Sequence, residues 1–130
     1  MKCDYIKELL SENFIQEYEN KAQVKLPQDF CEFIKLNNGG RPERELYDTY
    51  RMKERGIKKF LSFNKDDKES VWMALSLDNN FVGHYAPFAI DNYGNWLVFS
   101  KKGKVVFYNH EDETIELVAN SFSEFLQKLY

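Results

Sequence analysis

The chain has 130 residues, 43% apolar and 16% aromatic, which supports one packed core and excludes a disordered chain. A formal net charge of −3 argues against direct binding of DNA or RNA, which calls for a basic face. No stretch reaches the ~20 apolar residues of a membrane span. Asp4 and Glu8 interrupt MKCDYIKELL, so it does not read as a signal peptide either, and the cytoplasm is the expected compartment.

In chain order, the spacing of Ile6, Leu10, Phe14 and Tyr18, widened by Leu9 and Ile15, predicts an amphipathic helix over Asp4 to Tyr18. KAQVKL reads as an extended link. A second helix opens at Pro27, with Phe30, Phe33 and Ile34 as its inner stripe, and stops at Asn37-Asn38-Gly39-Gly40. The run from Arg41 to Glu69 carries nine basic and seven acidic residues, whereas Ser70 to Ser100 has no Lys or Arg. Such a charge-mixed run reads as a solvated loop or helix face. Within it, Phe60 to Phe63 reads as a strand. Asp66-Asp67 then opens a helix with Val71, Trp72 and Leu75 on its inner face.

The organising stretch is Pro87 to His110. Apolar bursts predict strands at Phe88–Ile90, Trp96–Ser100 and Lys104–Tyr108, joined by DNYGN and KKGK, both turn chemistry. Ile115 to Val118 reads as a further short strand. Ser121 caps a last helix with Glu124 reaching back as a capping box, and Phe122, Phe125, Leu126 and Leu129 form its core stripe. The expected fold is α+β, one domain over residues 1–130, with a twisted, mainly antiparallel sheet packed on N- and C-terminal helices.

Chemistry-bearing patterns are sparse. His84 and His110 stand alone, so no metal site is expected, and no nucleophile elbow, phosphate loop or dinucleotide fingerprint appears. Cys3 and Cys31 read as reduced thiols, with Cys31 a small core residue and not a nucleophile. The expectation is a binding protein with no cofactor and no enzymatic activity.

Four stretches, in chain order, carry a family resemblance. LPQDFCEFIKLNNGGRPE resembles the helix signature of the SUKH superfamily, the group of fungal cell-wall-synthesis regulators of the Smi/Knr type and bacterial immunity proteins. PFAIDNYGNWLVFS resembles its strand–turn–strand signature, and VVFYNHED and ANSFSEFLQKL its third strand and closing helix. The resemblance spans Leu26 to Leu129 and leaves Arg44 to Lys59 unmatched.

It implies an α+β domain without catalysis. The partner expected of an immunity protein is a cognate toxin, a basic nuclease domain above all. A regulatory scaffold of the fungal kind is the alternative, and a small cysteine-dependent enzyme a more remote one. Acidic and aromatic side chains suit a basic toxin surface, which selects Glu43, Glu45, Tyr47, Asp48 and Tyr50 in the unmatched segment. Asp66, Asp67, Asp78 and Tyr93 join them from other loops. No nucleic acid or membrane partner is expected, and the chain is expected to be a monomer or weak homodimer.

Overall fold

The computed structural model describes residues 1–130. Its centre is a five-stranded sheet, β5 (Lys59–Phe60), β6 (Tyr85–Ile90), β7 (Trp96–Ser100), β8 (Val105–Tyr108) and β9 (Ile115–Ala119), in that spatial order and antiparallel throughout. The turn residues make this meander possible. Asp91 accepts the N–H groups of Tyr93 and Asn95, both at 2.8 Å, and Gly94 takes the positive φ (82°) that closes the loop. All of β8 and most of β7 are buried, so both faces of the sheet centre are covered.

Two helices cover one face: α2 (Gln28–Asn37) and α4 (Phe122–Lys128). Phe30 of α2 and Phe122 of α4 meet Phe88 and Phe99 of the sheet, with Phe99 stacked on Phe88 at 4.1 Å between centroids. α1 (Asn13–Ala22) and α3 (Val71–Ser76) pack with each other and with β6. There the buried Tyr18 donates its hydroxyl to the Pro87 carbonyl at 2.8 Å, satisfying a polar group that burial would otherwise penalise. Two small ribbons complete the fold: β1 (Cys3–Asp4) pairs with β2 (Arg41–Pro42), and β3 (Leu46–Tyr47) with β4 (Arg55–Gly56).

The structure corrects several boundaries. The first helix begins at Asn13, not Asp4, and runs on to Ala22. Residues 5–12 ahead of it form no helix or strand, buried asparagines bond the backbone of Lys7, Glu8 and Leu10, and Ile6 and Leu10 are left exposed, so the inner stripe is Ile15, Tyr18 and Ala22. Pro27, with ψ of 143°, precedes the second helix as its cap. Phe60 to Phe63 is not one strand: β5 ends at Phe60, and Ser62 forms an isolated parallel bridge to Ser70.

Asp66 and Asp67 do not open α3; Ser70 caps it, its Oγ accepting the Met73 N–H at 3.1 Å. Asp67 instead accepts from the Ser62 hydroxyl at 2.5 Å. The capping box at Ser121 is half formed. Its Oγ accepts the Glu124 N–H, but the Glu124 carboxylate pairs with Lys128 at 3.6 Å, four residues on.

The largest departure lies in the charged run. Part of it folds as the β3–β4 hairpin, with Tyr47 and Ile57 buried in the core. Arg55 explains why a charged segment packs down. Its guanidinium lies 3.9 Å from the Phe107 ring centroid and 3.3 Å from the Glu116 carboxylate, and its Nε donates to Thr49 Oγ1 at 2.9 Å. A planar cation that lies over a ring while its separate N–H groups reach a carboxylate and a hydroxyl needs arginine specifically.

Candidate partner-binding surface

The residues selected from sequence do not form one patch. Tyr47 is 1% exposed, with its ring 5.5 Å from Phe125, and burial raises its hydroxyl well above the usual tyrosine range; it is a core side chain. Asp67 is held by Ser62 and, at 3.3 Å, by the Asn64 amide. Asp66 is exposed beside it, and Glu43 lies with Lys2 and Arg44 near the chain ends. Glu45, Asp48 and Tyr50 belong to the hairpin. The Tyr130 hydroxyl donates to Asp48 at 2.6 Å and, with the Glu54 N–H, holds that carboxyl below its usual range. Tyr50, at the hairpin tip, is fully exposed.

Asp78 and Tyr93 are brought together with residues that were not selected. The β6–β7 and β8–β9 turns lie side by side: Asn95 Oδ1 accepts the His110 N–H at 3.1 Å and sits 2.8 Å from His110 Nδ1. The loop after α3 closes on the same end of the sheet. Tyr108 donates to Asp78 at 2.5 Å, its ring packs 4.8 Å from Phe81, and the Asn80 amide donates to Glu113 at 3.2 Å. Burial first, and then the bond to Asp78, pushes the Tyr108 hydroxyl up to about 12, so it remains a donor at neutral pH.

The result is one end of the sheet that carries Asp78, Asp91, Glu111, Asp112 and Glu113 on adjoining loops, together with Tyr93, which is 80% exposed. The hairpin tip flanks it, with the Arg51 N–H donating to Glu116 Oε1 at 2.7 Å. Asp112 is held below its usual range first by the Thr114 hydroxyl and N–H, and also by the charge of Arg51. Hydrogen bonds orient Asp78, Asp91, Asp112 and Glu113 without removing their charge, so this end presents a negative field and an exposed aromatic. The sequence carried a signal for it: a window free of Lys and Arg from Ser70 to Ser100, followed by Glu111-Asp112-Glu113.

Cys31 is half-buried against the core, in a shallow groove lined by Glu12, Asn13, Ile15, Gln16, Glu19 and Lys35. Neither histidine reaches it; His110 is bonded to Asn95. Burial pushes the Cys31 thiol, and the buried Cys3 thiol, up to about 11, which suppresses the thiolate at neutral pH. Alkylation by iodoacetamide at pH 7.5 is therefore expected to be at least ~10-fold slower for either thiol than for free cysteine. Labelling of Cys31 as fast as the free amino acid would identify an activated thiol and contradict this.

The geometry is that of an α+β domain with an acidic surface at one end of its sheet. A family model, SMI1 / KNR4 family (SUKH-1), matches residues 9–128, and the chain belongs to that family. At family level this makes it a toxin-immunity or regulatory domain. A comparison with curated proteins returns no match.

Proposed function

We propose that this chain is a non-enzymatic immunity protein that binds a basic bacterial toxin domain, a nuclease, and blocks its access to nucleic acid. The observation that carries the reading is the acidic end of the sheet. Asp78 and Glu113 are fixed there by Tyr108 and Asn80, the exposed Tyr93 lies on an adjoining turn of the same end, and Tyr50 stands on the flanking hairpin. A nuclease surface is basic because it holds phosphates, and an acidic face with aromatic anchors complements it. Charge complementarity steers the encounter, while the tyrosines supply apolar area at little entropic cost. The partner is a protein, met in the cytoplasm, and the chain requires no cofactor for this role.

Co-expression tests the reading. Cells producing the cognate toxin are expected to survive when this chain is present, and the two proteins to co-purify. Folded chain that neither rescues nor co-purifies with an active toxin would favour a regulatory scaffold instead.

A further inference from the structure

Lys59 is a largely buried cation without a close partner. Its side chain, on β5, is only 12% exposed, and its ammonium stands 3.7 Å from the Glu69 carboxylate, beyond hydrogen-bond length. Lys58 takes that carboxylate instead, at 2.8 Å. An ammonium drawn out of water needs a counter-charge, and here one carboxylate is shared by two lysines.

The Lys59 side chain lines a groove of about 560 Å³ together with Tyr5, Ile6, Lys7 and Arg41. No carboxylate lines it, although the chain as a whole carries a net charge of −3. Neither Lys7 nor Arg41 forms an ion pair, and Asp4, the register partner of Arg41 across the β1–β2 ribbon, is not paired with it.

The backbone places each of these cations from a different part of the fold. Lys7 is bonded to Asn38 on both sides: its N–H donates to the Asn38 carbonyl at 2.8 Å, and its carbonyl accepts the Asn38 side-chain amide at 3.0 Å. The Lys7 stem runs along Gly39, where an added Cβ would lie 3.5 Å from its Cβ and Cδ. Arg41 is fixed by the pairing of β2 with β1, and its guanidinium lies 5.6 Å from the Tyr5 ring centroid. Lys59 is held in the sheet opposite Ile90. Three positive charges lining one groove repel one another unless an anion joins them. Arg41 covers one face of the Tyr5 ring, and with the residue 79% exposed the other face is open.

We propose that this groove binds a nucleoside diphosphate. Arg41 takes the phosphates in a fork, Lys7 and Lys59 add point charges, and the base lies on the open face of Tyr5. Three cations match the roughly three negative charges of that ligand at neutral pH. The volume of the groove falls within the range of about 300–1,000 Å³ that small-molecule sites occupy. The site shares no residue with the acidic sheet end and stands whether or not the partner is a toxin.

Calorimetric titration of the intact chain at low ionic strength tests it. ADP is expected to bind saturably, and at least ~10-fold more tightly than inorganic pyrophosphate, which lacks the ring. Arg41→Gln, at an exposed position, is expected to weaken ADP binding at least ~10-fold with an unchanged urea midpoint. Lys101→Gln, which removes a cation outside the groove, is expected to leave it unchanged. On the unaltered chain, ADP should shift the amide resonances of residues 5–7, 41 and 59. The absence of saturable ADP binding, or shifts confined to other residues, would overturn the proposal. So would citrate or pyrophosphate binding as tightly as ADP, or equal losses in the Arg41 and Lys101 variants.

Discussion

Replacing Phe30 with alanine is expected to destabilise the fold by about 3–5 kcal/mol, among the largest effects of any single truncation. Phe30 is fully buried, and its ring centroid lies 4.9 Å from that of Phe99, 5.1 Å from Phe122 and 5.4 Å from Phe88. It therefore ties α2 to the sheet and to α4 at once. Alanine leaves a cavity that these aromatic neighbours cannot refill without leaving their rotamers, so the transfer loss and the cavity cost add. Phe30→Leu keeps most of the volume and is expected to cost about 1.5 kcal/mol or less. Urea unfolding checks both, with the midpoint falling and the slope unchanged. A loss below ~1 kcal/mol for the alanine variant would show that this aromatic cluster is not the core's centre.

The second large effect concerns binding. Reversing Glu111 and Glu113 to Lys is expected to slow association with a basic toxin domain by at least ~10-fold at low salt. These two positions are cleaner probes than Asp78, whose carboxylate holds the part-buried Tyr108 hydroxyl, since Glu113 bonds only the exposed Asn80 amide. Dissociation should change far less than association, because exposed charges act mainly on the encounter. The wild-type rate should fall as salt rises and the screening length shortens to ~8 Å at physiological ionic strength. Tyr93→Ala is expected to act the other way, raising the dissociation rate by roughly 30-fold as a lost anchor of ~2 kcal/mol. Stopped-flow measurements separate the two. Equal rates for wild type and the double reversal would move the interface elsewhere on the molecule.

Much of the fold was legible because its signals are local. Gly94 and Gly103 between apolar bursts marked the meander, and the observed strands differ from the expected ones only at Tyr85 to Pro87 and at Lys104. Ser121 marked the last helix in the same way. The errors fall where tertiary bonds override periodicity. Ile6 and Leu10 share a four-residue spacing with Phe14 and Tyr18, yet Asn38 and Asn64 offer their backbone better partners than a helix would. Those asparagines lie thirty or more residues away in sequence, so no local pattern announces them.

The surface was harder to read for a related reason. Tyr47 and Tyr50 are three residues apart in one charged run, and it takes the pairing of β3 with β4 and the packing of Tyr47 on Phe125 to make the first core and leave the second exposed. Asp78, Tyr93 and Glu113 come from separate loops and meet through Tyr108, Asn80 and Asn95, contacts that sequence spacing does not encode.

Amide exchange of the chain alone and in complex with the toxin domain recovered by co-expression tests the central claim most directly. Protection is expected to concentrate in residues 91–95 and 109–114, with a smaller contribution from the β3–β4 hairpin around Tyr50. Protection confined to other surfaces, with those two turns exchanging as they do in the free chain, would contradict binding at the acidic end of the sheet.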